Sequence, residues 1–291
     1  MAIRELFHVM QVVDDFDAGA AFWEALCAPH VYMAKSWSDF DKRWALLGVV
    51  GDDFVIEVVE PSKIPGDAGF PLPKFQARFG EHLHSCAWYT DDLPALLENL
   101  KGRGVRVVEQ GEGPATIFTH PKDTCGQVEF QDVRTASIMR DPRFAPGWSG
   151  AYWRDEHPLR ISRLSHVTLS VHDRDHARAV YERGFGACTF HTTDDDEARR
   201  AYVLVGPTVV ELAQPVASGT RLADDLARNG ELLHALTFAV ADLAAVERHL
   251  ADIGVGVAER RDGTVVLAPQ DCFGAVLAFT TASIPRDPRD L

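Results

Sequence analysis

Two histidine–glutamate pairs occupy matching places in the two halves of the chain. His8 opens one apolar stretch, and Glu57 lies inside another, FVIEVVEP. His166 and Glu211, the latter in TVVELAQP, repeat this arrangement in the second half. An imidazole and a carboxylate that share a pocket can transfer protons or act jointly on a bound group. Strands that curl into a half-barrel would bring each His next to its Glu.

The pairs belong to longer segments that recur along the chain. The first such segment is FHVMQVVDDFDAGAAFW, which is matched by SHVTLSVHDRDHARAVY. The second is HLHSCAWYTDDLPALLENL, matched by LLHALTFAVADLAAVERHL, and it places His84 opposite His234. Near the end of each copy, TASIMRDPR recurs as TASIPRDPR. A unit of roughly 150 residues is therefore present twice, and an internal repeat of this kind defines the architecture.

Apolar spacing predicts the same order of elements in both halves. Alternating apolar residues predict strands, and spacing of three to four residues predicts helices, each preceded by Asp residues suited to capping. Four Pro within residues 61–79 predict a loop there rather than an element. One strand, one helix and further strands form a module, and the four predicted modules cover about residues 3–61, 80–134, 161–215 and 230–281.

The modules group into two predicted domains. We predict a first domain over residues 1–135 and a second over 161–291. Residues 136–160, which are rich in Pro, Gly, Trp and Arg, are the predicted linker.

The amino-acid composition excludes some classes of binding partner. The chain has 291 residues, of which 46% are hydrophobic and 25% charged, and a net charge of −14. Such an acidic chain argues against nucleic acid and against anionic membrane surfaces as partners. We see no apolar run of ~18 residues and no secretory signal, and the five Cys include no Cys-x-x-Cys. We therefore expect a cytoplasmic protein that acts on a small molecule and could form a homodimer.

The repeated order of elements, with FHVMQVVDD, FVIEVVEP and THPKDTCGQVEF, resembles the vicinal oxygen chelate superfamily. Its members include glyoxalase I, methylmalonyl-CoA epimerase, extradiol dioxygenases, fosfomycin-resistance transferases and bleomycin-binding proteins. THPKDTCGQVEF looks like the metal-proximal hairpin of the epimerases. The resemblance covers nearly the whole chain outside the predicted linker. It implies an α+β fold in which four βαβββ modules form two cupped mixed sheets with helices outside.

The resemblance also implies a metal site. In that superfamily two protein ligands from each of two modules hold one divalent metal. Carried over residue by residue, the pattern makes His8 and Glu57 ligands from the first module, with His84 and Glu129 as candidates from the second. Imidazole and carboxylate together suit Zn, Ni, Co, Mn or Fe(II), and no organic cofactor is implied. Glu129 or Glu57 would also be the catalytic carboxylate that moves a proton.

The register of the second module leaves two alternatives open. Counted strictly, the family positions fall one residue later, at Ser85 and Phe130. Because successive side chains of a strand point to opposite faces, one residue decides whether a side chain reaches the metal. Either the strands carry compensating shifts that bring His84 and Glu129 to the metal, or both side chains point into the helix layer. Both deviate in the same direction, which favours a shared shift.

The second half offers fewer ligands. Leu277 or Ala278 stands in place of the second Glu, and Ala235 fills the strictly counted His position. His166 and Glu211 could form a second site, or a swapped site if modules pair between the halves. The sequence alone does not choose between pairing within and pairing between halves.

Three functions are compatible with these residues. The first is a metal-dependent isomerase, epimerase or lyase that stabilises an enediolate of a small 2-oxo or acyl-thioester substrate. The second is an extradiol-type Fe(II) dioxygenase, although Leu277 or Ala278 at a ligand position argues against it. The third is a metal-free small-molecule binding protein of the bleomycin-resistance type, which the strictly counted positions Ser85 and Phe130 favour.

Overall fold

Two eight-stranded mixed sheets, one from each half, form the framework of the computed structural model, which describes residues 2–35, 44–64, 71–110 and 115–291. The elements of the first half are β1 (Ile3–Val12), α1 (Phe16–Cys27), β2 (His30–Lys35), β3 (Ala45–Val50), β4 (Phe54–Val59), α2 (Leu72–Phe79), β5 (His82–Thr90), α3 (Leu93–Gly102), β6 (Val107–Gln110), β7 (Thr116–Thr119), α4 (Pro121–Thr124), β8 (Gln127–Asp132) and α5 (Thr135–Ile138). Those of the second half are β9 (Ile161–Ser170), α6 (Arg174–Phe185), β10 (Cys188–Asp194), β11 (Ala198–Val205), β12 (Thr208–Pro215), α7 (Arg221–Asn229), β13 (Leu232–Val240), α8 (Leu243–Asp252), β14 (Val257–Arg261), β15 (Thr264–Leu267) and β16 (Val276–Thr280).

The strand order answers the question of module pairing. The first sheet runs β2-β3-β4-β1-β5-β8-β7-β6, and the second repeats this as β10-β11-β12-β9-β13-β16-β15-β14. In each sheet the two modules join through an antiparallel pair of central strands, β1 with β5 and β9 with β13. The modules therefore pair within each half, and the swapped arrangement is excluded. The predicted α+β fold of four modules in two mixed sheets is confirmed.

Side-chain alternation separates a helix-covered face of each sheet from a pocket face. In the first sheet, Val9, Ile56 and Phe130 join the hydrophobic core that also holds Trp23 and Leu26 of α1. Residues at the alternate positions of the same strands line a pocket on the opposite face. The helices thus cover the outer face of the cup, as the resemblance implied.

A single hydrophobic core joins the helix-covered faces of the two sheets. The rings of Phe54 and Phe238, one from each half, meet edge to face with centroids 5.0 Å apart. The indole Nε1 of Trp88 donates a hydrogen bond to Thr208 Oγ1 across the same boundary (3.1 Å). Because the cores of the two halves are continuous, the pockets lie on the faces turned away from this boundary.

Two local predictions need correction. Residues 61–79 are not a loop throughout, because α2 occupies the end of this segment. Pro71 and Pro73 contributed to the predicted loop because Pro interrupts helices. Pro is nevertheless compatible with the first turn of a helix, where no backbone N–H is required. In addition, strand β2 was not predicted, since it is an edge strand whose partly exposed residues lack regular alternation.

The segment 136–160, predicted as a linker, is packed against the first half. Trp153 is buried and its indole donates to Cys27 O (2.8 Å), while Gly150 N donates to Asp52 Oδ1 (2.6 Å). The exact domain boundaries stay a prediction. Among the described residues, the helices are too short or too polar to cross a membrane.

The shared core predicts that the two halves unfold together. We expect Phe238→Ala to lower the free energy of unfolding by about 3–5 kcal/mol, because it opens a cavity among aromatic side chains from both halves. Ile138→Ala is the control: Ile138 is 77% exposed, and surface changes usually stay within about 0.5 kcal/mol. Urea unfolding followed by circular dichroism and by tryptophan fluorescence measures both. Two separate transitions, only one of them shifted in Phe238→Ala, would contradict a common core.

Candidate active site

A β-bulge in the first strand presents His8 to the pocket of the first half. Leu6 pairs with Trp88 and His8 pairs with Ala87, so Phe7 is an extra residue on β1. Bulges of this kind re-aim side chains and are frequent beside active sites. His8 thereby lines the pocket, as predicted, together with Phe7.

A second bulge, in β5, resolves the register of His84. Met10 pairs with Ser85 and Gln11 pairs with Leu83, which leaves His84 as the extra residue on β5. The bulge compensates for the one-residue offset in the sequence, so that both His84 and Ser85 line the pocket. The imidazole Nδ1 of His84 lies 2.9 Å from Ser85 Oγ. The alternative in which His84 points into the helix layer is therefore wrong.

Glu129 also faces the pocket. On β8, Gln127, Glu129 and Gln131 line the cavity, whereas Val128 and Phe130 lie in the hydrophobic core. The strictly counted position, Phe130, is thus a core position, and the alternative in which Glu129 points into the helix layer is wrong.

The four side chains converge in a cavity of about 640 Å³ in which all four are buried. His8 Nε2 lies 3.1 Å from Glu57 Oε2 and 3.6 Å from Glu129 Oε2. The second oxygen of Glu57, Oε1, accepts a hydrogen bond from the ammonium of Lys35 at 2.5 Å. The lysine side chain is 33% exposed and enters the pocket from edge strand β2.

Burial and neighbouring charges set the pKa values of the four side chains. Desolvation lowers the pKa of His8 and that of His84 to about 4, so both imidazoles are neutral at pH 7. Burial acts to raise the pKa of Glu57, but the charge of Lys35, the hydrogen bond from Lys35 and the nearby imidazoles together outweigh burial and hold that pKa below its usual value. For Glu129, burial raises the pKa to about 8, and the neighbouring charge of Glu57 adds to the effect. The two carboxyl groups therefore differ in protonation at neutral pH.

The donor chemistry of this cluster fits a divalent metal. Neither ring nitrogen of His8 makes a hydrogen bond of acceptable geometry with the described residues, although both are buried and Nε2 lies 3.1 Å from Glu57 Oε2. Buried polar atoms without partners are rare in proteins, and an ion is one recognised explanation. Two neutral imidazoles and two carboxylates are a common ligand set for Zn, Fe(II), Co, Mn and Ni. Within the described ranges, however, no three His, Cys, Asp or Glu side chains already have the arrangement of a metal site. The ligands would therefore have to close around the ion.

The matching pair in the second half has different partners. His166 Nε2 lies 3.6 Å from Glu211 Oε2 in a larger cavity of about 1040 Å³. The carboxylate of Glu211 accepts hydrogen bonds from Thr168 Oγ1 (2.6 Å) and from the Tyr202 hydroxyl (2.8 Å), and Arg200 Nε lies 3.2 Å away. Side chains of the protein thus already neutralise this carboxylate and use both of its oxygens.

The remaining ligand positions of the second pocket hold no donors. Ala235 and Ala278 line it, and Leu277 lies in the core. None of these three side chains can bind a metal. His234 is the extra residue of a matching bulge, but its Nδ1 lies 2.6 Å from Asp225 Oδ2. The first half therefore has the fuller set of candidate ligands.

Comparison with known proteins identifies the family. The family model described as Glyoxalase/Bleomycin resistance protein/Dioxygenase superfamily matches residues 7–119 and 165–267. The chain belongs to this superfamily. Mitochondrial methylmalonyl-CoA epimerase from Bos taurus is 27% identical over 161 residues, which are 52% of this chain and 86% of that protein.

One solved structure extends the likeness in fold to nearly the whole chain. A mutant of 4-hydroxymandelate synthase from Streptomyces coelicolor aligns over 98% of this chain and 94% of its own, with a TM-score of 0.69 and 13% identity. At this identity the likeness shows the fold alone. A variant of Streptomyces coelicolor methylmalonyl-CoA epimerase in complex with 2-nitronate-propionyl-CoA covers 43% of this chain and 99% of its own, with 27% identity and a TM-score of 0.39.

Lys35 was missed as a site residue from the sequence. Its strand was not predicted, so nothing linked it to Glu57. The signal that could have found it is the stretch HVYMAK directly after the Pro that ends α1, since it is rich in residues that favour strands.

The raised pKa of Glu129 predicts a pH dependence of stability in the metal-free protein. Its folded-state pKa of about 8 lies above the unfolded value of about 4.3, so the folded state binds more protons between these pH values. The contribution of Glu129 to the free energy of unfolding should therefore fall as pH rises from ~4 to ~8, whereas the lowered pKa values of His8 and His84 act in the opposite direction between ~4 and ~6.5.

Glu129→Gln should flatten this dependence, because Gln resembles the protonated acid. Urea unfolding at a series of pH values after metal removal measures it, with the exposed Glu24→Gln as the control. A slope in Glu129→Gln equal to that of the wild type would show that Glu129 is ionised throughout this range.

Proposed function

We propose that the pocket of the first half abstracts a proton from the carbon beside a carbonyl in a small acyl-thioester or 2-oxo substrate, with a divalent metal as cofactor. The outcome would be isomerisation or epimerisation, or else elimination in a lyase. The observation that carries the proposal is the convergence of Glu57, Glu129, His8 and His84 in one buried pocket, where His8 Nε2 lies 3.1 Å from Glu57 and 3.6 Å from Glu129; in the metal-free protein the two carboxyl groups also differ in pKa. Pairs of titratable groups with separated pKa values are typical of acid–base sites.

The residues have distinct roles in this proposal. His8, Glu57, His84 and Glu129 would hold the metal, which polarises the substrate oxygens and so stabilises an enediolate. A carboxylate takes the proton from carbon; Glu129 is our first candidate, because it faces the cavity and could detach from the metal, whereas Lys35 holds Glu57. Glu57 is the alternative. The apolar side chains Met10, Trp44 and Phe118 in the wall of the pocket would exclude water from the carbanion-like intermediate.

Similarity supports the choice of substrate class. The bovine relative is by name a methylmalonyl-CoA epimerase, and it matches about half of this chain. Because that relative is named for its action on an acyl-thioester, an acyl-thioester is our first candidate for the substrate. The likeness to 4-hydroxymandelate synthase concerns the fold, and the sparse donor set of the second pocket argues against an Fe(II) dioxygenase site in that half.

A metal-free binding protein is the second candidate. The ammonium of Lys35 already pairs with Glu57 and supplies a positive charge inside the pocket. If that ion pair persists in solution, the cavity would bind a small molecule without a metal and would not catalyse a reaction.

Hydrogen exchange into substrate separates these candidates. The wild-type protein, loaded with Co²⁺ or Mn²⁺, should incorporate deuterium from heavy water into the carbon beside the carbonyl of methylmalonyl-CoA or a 2-oxo acid. Glu129→Gln should bind the substrate but lose exchange by about 100-fold or more, the scale of a general base. Glu211→Gln, which changes the buried carboxylate of the second pocket, is the control and should exchange like the wild type.

Two other outcomes have clear meanings. Undiminished exchange in Glu129→Gln at matched metal loading would exclude Glu129 as the base and leave Glu57. Tight binding of these compounds by the wild type with no exchange would favour the metal-free binding protein.

A further inference from the structure

The recurring sequence TASIMRDPR and TASIPRDPR has no role in the proposed function. In the structure each copy ends in a one-turn helix, Pro142–Phe144 in the first half and Pro288–Asp290 in the second. The Asp before each turn caps it, as Asp141 Oδ1 accepts from Arg143 N at 3.1 Å. The Arg of each copy then reaches back to the first strand of its own half.

In the first half, Arg143 connects Asp141 to the bulge before His8. Its guanidinium donates from Nη1 to Leu6 O (2.8 Å) and from Nη2 to Phe7 O (3.4 Å). The other edge forms a two-point ion pair with Asp141, through Nε to Oδ1 (3.0 Å) and Nη2 to Oδ2 (2.6 Å). Both side chains are almost fully buried, at 3% and 0% exposure.

The second half repeats these contacts. Arg289 donates from Nη1 to Leu164 O (3.0 Å) and from Nη2 to Ser165 O (2.6 Å), while pairing with Asp287. Ser165 is the extra residue of the β9 bulge, since Thr237 pairs with His166 and Phe238 with Leu164. In both halves the Arg therefore binds the two carbonyl groups that directly precede the site His.

These carbonyl groups are where strand pairing fails. A bulge leaves its extra residue unpaired, and a buried carbonyl without a partner is costly. The planar guanidinium suits this position because it can serve a carboxylate with one edge and carbonyl oxygens with the other. Without it, β1 could pair with β5 without the bulge, and a shift of one residue would turn the side chain at position 8 to the other face.

We propose that the Asp-Pro-Arg segment closing each half is a clasp that fixes the β-bulge of the first strand, and that Arg143 is thereby the positioning residue of His8. The clasp rests on the contacts above; only its consequence for metal binding rests on the proposed function. In the second half the same clasp fixes His166, which supplies an internal control.

The test compares Arg143→Lys with Arg289→Lys in the full chain. Lys keeps the charge but cannot pair with the Asp and both carbonyl groups at once. In metal-free protein, we expect faster amide hydrogen exchange in residues 5–10 for Arg143→Lys, and in residues 163–168 for Arg289→Lys. The dissociation constant for Co²⁺, measured by calorimetry, should rise about 10–100-fold in Arg143→Lys, the usual effect of losing a group that orients a ligand. It should not change in Arg289→Lys.

Two results would overturn the clasp. Equal weakening of Co²⁺ binding by both variants would mean general destabilisation, and unchanged exchange near His8 in Arg143→Lys would mean that the bulge holds itself; either result overturns the clasp. If Arg143→Lys does not fold, Asp141→Asn, which weakens the same ion pair, takes its place against Asp287→Asn. Guanidinium at millimolar concentration should restore Co²⁺ affinity to Arg143→Ala, which a merely unstable fold would not allow. If the wild type binds no Co²⁺, the proposed function fails, and the exchange data alone decide the clasp.

Discussion

The antiparallel pairing of β1 with β5 is the interaction on which both the first sheet and its pocket depend. It joins the two modules into one cup, and it contains the two bulges that turn His8 and His84 to the same face. The bulge at Phe7 and the bulge at His84 compensate each other: the pairing is shifted by one residue between them and returns beyond His84 to the register that it has at Leu6. Regular pairing along the same strands would bury one of the imidazoles among the core residues. The two bulges in the central strand pair therefore place both imidazoles in the pocket.

The duplicated halves share this framework but differ in how their carboxylates are neutralised. Glu211 is held by Thr168, Tyr202 and Arg200, all from its own sheet, and its pocket has no second carboxylate at the position of Glu129. Among the residues that the structure describes, Glu57 pairs with one ammonium group, that of Lys35, and it faces a second buried carboxyl group. A buried pair of carboxyl groups with one ammonium has a deficit of positive charge once both are ionised. A divalent cation would offset that deficit, which gives the first half a physical reason to bind metal that the second half lacks.

Much of the fold follows from the sequence because it depends on local patterns and on the repeat. Alternation predicted the central strands, and the His–Glu pair that recurs at matching places in the two halves predicted that His8 and Glu57 would meet, as they do at 3.1 Å. The register of His84 and Glu129 could not be predicted, because a bulge is fixed by pairing between strands more than 70 residues apart in the chain. Lys35 was missed for a related reason: an edge strand needs no alternation, so β2 leaves little pattern. The contact between Arg143 and the strand carrying His8 is likewise non-local, although the repeat that contains Arg143 is visible in the sequence.

The central claim is that one divalent metal binds in the first pocket and none in the second. Anomalous scattering from crystals grown with Co²⁺, recorded on both sides of the cobalt absorption edge, tests it most directly. The account predicts one peak per chain, about 2.0–2.2 Å from nitrogen or oxygen atoms of His8, Glu57, His84 and Glu129, with Lys35 released from Glu57. A peak beside His166 and Glu211, or an empty first pocket with the Lys35–Glu57 ion pair intact, would contradict it.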